Sequence, residues 1–162
     1  MDSWVALVVK PRAERKAQLA LANIGAESFV AWYRVRHRWS DRSQTLEQNL
    51  FPGYVFCRSN FSERLAILRQ PGVQSVVSFN RAPALIPDSE IAGLRRSIAS
   101  GAQLSPWPFL KAGQRVRITE GALAGIEGTL IRDSSATRVV ISVNALERSI
   151  AIQLDREAVR AA

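Results

Sequence analysis

Beyond residue 108 the chain reads as short strands and little else. Arg115 to Thr119, Ile126 to Arg132, Arg138 to Val143 and Ser149 to Leu154 are β-rich segments, separated at close spacing by glycine and Ser-Asp turns. That pattern predicts a small barrel. About fifty residues make only a small core, and closing the sheet removes the unpaired edges that such a core cannot cover. The β-branched Val139, Val140, Ile141 and Val143 favour strands, so a constitutive barrel is expected. Just before it, SGAQLSPWP at residues 100–108 has the composition of a linker. The expected division is therefore 1–99, a linker at 100–108, and 109–162.

The first part alternates strands with helices. Trp4 to Val9 is short, apolar and valine-rich, which predicts a buried strand. Pro11 stands at a first helical position, alanines with Leu21 and Ile24 recur at helical spacing over 12–24, and Gly25 supplies the stop. Phe29 to Trp39 alternates, with Trp32, Arg34, Arg36 and Arg38 on one face, which makes that face a basic stripe. The polar stretch 40–49 is expected to be a loop or hairpin tip. A short helix follows at 62–70, ended by Pro71-Gly72, then a strand at 73–79. Asp88 caps a helix whose Ile91, Leu94, Arg95 and Ile98 share a face. The fold class is α+β, an antiparallel sheet flanked by helices and followed by the barrel.

With 22 Lys plus Arg against 14 Asp plus Glu, the formal charge is +8 and the pI about 10.9, a balance that favours an anionic partner such as nucleic acid. Residues 1–100 hold 14 basic and 8 acidic side chains, whereas 101–162 hold 8 and 6, so the contact is expected in the first part. Cys57 is the only cysteine, which leaves no intrachain disulfide and no thiolate metal site, and fits a reducing cytoplasm. It reads as a small buried thiol. The apolar start MDSWVALVVKPR is too short for a signal sequence, and no segment approaches the ~20 apolar residues of a membrane span. His37 has no second ligand near it in sequence and reads as a surface or packing residue rather than a metal ligand.

Residues 50–56, LFPGYVF, are large and apolar around a Pro-Gly pair. Pro52 lacks an amide donor and Gly53 tolerates positive φ, so the pair reads as a strand entry or bulge before Tyr54, Val55 and Phe56. In the second part, GQRVRITEGALAGIEGTLI at 113–131 resembles the KOW motif, with Gly121 and Gly125 in its loop and Gly128 in the next strand. Joined to WVALVVKPRAERK and LFPGYVF, the whole chain over 3–160 resembles the NusG family of transcription elongation factors, an NGN domain followed by a KOW barrel. Housekeeping members usually carry a tyrosine after the first tryptophan and a glycine-bearing turn where this chain has Val5 and KPRAERK. With RHRWSDR and DREAV, the segment VKPRAERK looks closer to the specialised UpxY and RfaH-type paralogues.

The resemblance implies a monomer that acts without catalysis, cofactor or metal. It implies that the NGN domain docks on the clamp helices of the largest RNA polymerase subunit. Phe51, Pro52, Tyr54 and Phe56 fall on the matching segment, with Trp4 and Val8 on the adjacent strand. Trp4 and Phe56 suit a core equally well, and strand alternation lets only one set of alternate residues face the same way. Lys10, Arg12, Arg15, Lys16 and Arg69 fall where family members approach upstream or non-template DNA. Arg34, Arg36 and Arg38 are weaker candidates. Leu123 and Leu146 match apolar contact sites through which the KOW barrel of some members recruits Rho or the ribosomal protein NusE. The implied role is transcription elongation and antitermination on long operons, such as those for surface polysaccharides. A housekeeping factor coupling transcription to Rho or the ribosome is the nearest alternative.

An enzyme is the first competing class. No nucleophile elbow, phosphate loop, metal cluster or suggestively spaced carboxylate pair is present, and Asp2, Asp41 and Asp88 are isolated in the sequence. A ribosome-associated RNA-binding protein built on the barrel would concentrate positive charge after residue 100. The observed asymmetry runs the other way.

Overall fold

A computed structural model describes residues 2–110, 112–132 and 136–162; the side chains of His37 and Phe61 lie outside that description, as does the turn expected at 133–135. The order begins β1 (Ser3–Val9), α1 (Glu14–Asn23), β2 (Glu27–Phe29), β3 (Trp32–Arg38), β4 (Ser43–Asn49), β5 (Tyr54–Ser59) and α2 (Arg64–Leu68). It continues with β6 (Val73–Val76), β7 (Ser78–Phe79), β8 (Ala82–Pro83), α3 (Asp88–Ala99) and β9 (Leu104–Trp107). The last strands are β10 (Arg115–Ile118), β11 (Glu127–Arg132), β12 (Thr137–Val143), β13 (Arg148–Leu154) and β14 (Val159–Ala161). Contacts divide the chain into two compact units, one of Met1–Ala31, Phe51–Ile91 and Asn144–Leu146, the other of Trp32–Leu50, Ala92–Val143 and Glu147–Ala162.

In the first unit an antiparallel sheet has the order β2-β5-β1-β6. Ala6, Leu7, Val55, Phe56 and Cys57 are fully buried on its two central strands, and Ala17 and Leu21 of α1 are buried as well. That distribution follows from sequence: the central strands are apolar on both faces, as strands covered on both sides must be. Burial pushes the Cys57 thiol up to about 11, with Glu63 and Glu27 adding to the rise. Along α3 the buried line is Ile91, Leu94 and Ser97, with the Ser97 hydroxyl donating to the Gly93 carbonyl at 2.7 Å. Arg95, expected on that line, is exposed instead.

In the second unit six strands follow the order β14-β10-β11-β12-β13-β9 around a core of Val116, Ile118, Leu123, Ile126, Val139 and Ile152. The four strands read from sequence are all present. The expected linker is not free chain throughout, because Leu104–Trp107 pairs with β13, Ile152 facing Leu104 and Ser149 facing Trp107. Proline content had marked the stretch as linker, yet Pro106 sits on an edge strand, where its missing N–H costs no ladder bond.

Three further expectations change. The run 29–39 is not one strand: Val30 and Ala31 are buried between β2 and β3. The polar stretch 40–49 is largely strand, since β4 pairs with β3 over seven registered positions from Trp32↔Asn49 to Arg38↔Ser43. Pro11 is not inside the helix. It opens a turn in which Ala13 N–H donates to the Lys10 carbonyl at 3.0 Å and Arg12 takes φ 64°, so α1 starts at Glu14.

Candidate functional site

Three turns of one kind gather at one end of the four-stranded sheet. Lys10-Pro11-Arg12-Ala13, Phe51-Pro52-Gly53-Tyr54 and Gln70-Pro71-Gly72-Val73 each place proline second and a positive-φ residue third, Arg12 at 64°, Gly53 at 87° and Gly72 at 87°. Proline presets the second position of a type II turn, and the third requires the left-handed region. Each is closed by a backbone bond, Ala13 to Lys10, Tyr54 to Phe51 at 3.0 Å, and Val73 to Gln70 at 3.2 Å. They are tied together: Val9 N–H donates to the Gly53 carbonyl and Lys10 N–H to the Gly72 carbonyl, both at 2.9 Å. A Cβ on Gly72 would lie 3.0 Å from the Ala13 Cβ, so glycine there also permits close approach. Glu14, the first residue of α1, accepts the Gly53 N–H at 3.4 Å from a buried position.

The apolar candidates split at this end. Val8↔Tyr54, Ala6↔Phe56 and Trp4↔Arg58 are registered pairs, so Trp4, Ala6, Val8, Tyr54 and Phe56 share one sheet face. Phe29 stacks on Phe56 with centroids 5.9 Å apart, and Phe51 meets Phe56 edge-on at 5.7 Å and 85°. Trp4, Phe51 and Phe56 are only 3%, 1% and 0% exposed. These three are core, and as contact residues they are corrected to a supporting layer. Val8 and Tyr54 are half-buried and Pro52 is exposed, so the accessible members of the apolar candidates are Val8, Pro52 and Tyr54. Alternation told which residues share a face but not how far along it the cover extends.

The basic candidates frame the same turns. Lys10 and Arg12 lie in the first turn, Arg15 and Lys16 in the first helical turns after it, and Arg69 just before the third; all five are exposed. What sequence reasoning missed is that Pro71-Gly72 is more than a helix stop. It is the element that brings Arg69 beside the Lys10 turn, and its resemblance to the other two Pro turns was the available signal.

In the second unit Leu123 is 3% exposed and belongs to the barrel core, so it is corrected as a contact residue: the turn after β10 folds it inward. Leu146, in the segment Asn144–Leu146 that groups with the first unit, is half-buried. Among the described residues no group of three His, Cys, Asp or Glu side chains could hold a metal ion, and no helix is long and apolar enough to cross a membrane.

The fold and the turn cluster define a class, a mixed α/β unit with an apolar and basic end followed by a β-rich unit. Residues 2–95, more than half of the chain, match the family model described as the transcription termination factor nusG. The chain belongs to the NusG family. It is 24% identical over 168 residues to the transcription termination/antitermination protein NusG of Helicobacter pylori, with 95% of each chain covered. It is 27% identical over 127 residues to the protein of the same name from Lactococcus lactis, covering 75% of this chain and 67% of that one. A solved structure of Thermotoga maritima NusG superposes with a TM-score of 0.57 at 18% identity, covering 99% and 97% of the two chains, and supports the fold. The protein is thus a transcription factor of the NusG type, as its named relatives are.

Proposed function

We propose that this protein is a specialised NusG paralogue that binds the clamp helices of RNA polymerase and promotes processive transcription of long operons, such as those for surface polysaccharides. Its NGN domain, residues 1–99, docks through Val8, Pro52 and Tyr54, while Lys10, Arg12, Arg15, Lys16 and Arg69 approach upstream or non-template DNA. The barrel at 109–162, with Leu104–Trp107 added to its sheet, recruits NusE or Rho through a surface that includes Leu146. The observation that carries this reading is the convergence of the accessible apolar residues and the exposed basic ones on one cluster of turns. An aromatic anchor beside arginines is the composition that concentrates binding energy at protein interfaces. Arginine in addition pairs with phosphate through its fork.

The test is pausing and terminator read-through by purified RNA polymerase, with wild type and Tyr54→Ala. Truncating an interface tyrosine costs about 2 kcal/mol, roughly thirtyfold in affinity. Wild type should shorten pauses and the variant should need correspondingly higher concentrations to do so. Absence of polymerase binding by wild type, or an unchanged concentration dependence for Tyr54→Ala, refutes the docking assignment.

A further inference from the structure

The four-stranded sheet has a second face. Val5 and Leu7 alternate along β1, and Leu7 pairs with Val76 of β6, so these three point away from the side that carries Trp4, Ala6, Val8, Tyr54 and Phe56. On that reverse side they floor a cavity of about 60 Å³, walled by Ile67 of α2, by Pro83 of β8 and by Leu85 just after it. The same walls carry apolar side chains that face water, Leu65 on α2, Phe79 on β7 and Leu85 itself. Arg64 also lines the cavity. It is half-buried, and among the described residues its guanidinium has no hydrogen-bond or ion-pair partner. Residues 60–86, which supply α2 and the β7–β8 hairpin, hold three arginines against one carboxylate, Glu63.

We propose that this cavity is a docking site for an acidic segment of a partner protein, which inserts one branched aliphatic side chain and pairs a carboxylate with Arg64. Size decides against a cofactor or metabolite, because sites for such molecules enclose about 300–1,000 Å³. A dry cavity of about 150 Å³ takes benzene, so about 60 Å³ suits a branched group of roughly three or four carbons, the end of a leucine, isoleucine or valine. The exposed apolar rim is what a protein covers: an anchor in a pocket, ringed by contacts that exclude water, concentrates binding energy. Charge then selects the partner. A half-buried guanidinium gains most from a carboxylate, which its fork holds through two parallel hydrogen bonds, and the local excess of arginine repels a basic segment. The cavity lies on the sheet face opposite Val8 and Tyr54, so it is separate from the polymerase-docking surface assigned above.

The experiment is panning of a random dodecamer phage library on the full chain, followed by fluorescence anisotropy of the enriched peptides. It contains no polymerase, so its result is independent of the clamp-helix assignment. Enriched sequences should place leucine, isoleucine or valine within a few residues of an Asp or Glu. Arg64→Gln should weaken these peptides about tenfold, a loss that shrinks as salt is raised. Val76→Phe, which puts a ring into the cavity, should weaken them at least about tenfold, whereas Tyr54→Ala on the opposite face should stay within about twofold of wild type. Circular dichroism matching wild type establishes that each variant is folded, and Arg64→Gln alone carries the test if Val76→Phe is not. Panning that enriches no sequence overturns the proposal. So do enriched peptides whose affinity is unchanged by Arg64→Gln, or is lost with Tyr54→Ala instead. Binding of free 4-methylpentanoate, displaced by Val76→Phe while no peptide is enriched, makes the cavity a small-carboxylate site and likewise overturns protein docking.

Discussion

Replacing Phe51 by alanine separates a core role from a docking role at the most conspicuous segment of the chain. The ring is 1% exposed and sits edge-on to Phe56 at 5.7 Å. Truncating a buried phenylalanine removes its transfer free energy and leaves a cavity, about 3–5 kcal/mol in all. Against a total stability of roughly 5–15 kcal/mol that is a large fraction. At a urea dependence of about 2 kcal/mol per molar, the unfolding midpoint should fall by roughly 2 M. Tyr54→Ala, at a half-buried position one turn away, should shift it by well under half as much. Tryptophan fluorescence is a suitable probe because Trp4 lies on the same sheet face as Phe56. A Phe51→Ala midpoint within about 0.5 M of wild type, with unchanged slope, would show the ring to be dispensable to the core and would return it to the list of contact residues.

Three other outcomes are expected. Arg12 holds a left-handed conformation that costs a non-glycine residue roughly 1–2 kcal/mol, so Arg12→Gly should leave thermal stability equal or slightly raised while weakening DNA binding in anisotropy. Burial raises the Glu90 carboxyl above its ordinary 4.5, opposed by the N–H it accepts from Asn144 at 3.1 Å. The folded state therefore binds this proton more tightly than the unfolded chain, and the associated stability is present at low pH and lost as pH rises from 4.5 through the raised folded value. Glu90→Gln should accordingly melt higher than wild type near neutral pH, with the gap closing below that window; a gap that does not change with pH contradicts the sign. A Cβ on Gly128 would lie 2.5 Å from the Val140 carbonyl oxygen and 2.6 Å from a Val139 methyl, so Gly128→Ala should destabilise the barrel by about 1–3 kcal/mol in urea unfolding.

Much of the architecture was legible because periodicity and turn chemistry agree along this chain. Val-rich 4–9 became β1, the four barrel strands appeared within a residue or two of their expected ends, and Gly25 ended α1. What failed did so where local composition is ambiguous. The sequence SQTLEQN has little β propensity and is strand only because β3 offers a partner in register, and a pairing of this kind is invisible to a window read alone. Proline at 106 signals linker to local reading and edge strand to the fold. For the site, residue type pointed to the right segments, and burial then divided them. Phe51 opens the Pro-Gly turn with its side chain folded inward, while Pro52, the next residue of the same turn, faces water. No spacing rule distinguishes two neighbours on opposite sides of a turn.

The lone thiol has a practical consequence. Cys57 is fully buried and its proton is held up to about 11, so almost none of it is thiolate at neutral pH. Maleimide and other electrophilic labels should pass it by while the protein is folded. The wild-type chain is therefore already a silent background for single-site spectroscopy: one cysteine introduced at an exposed position, such as Ser40 at the end of the hairpin, becomes the sole point of attachment for a fluorophore or spin label. A label there reports on the hairpin's surroundings directly, without removing a native residue from the core.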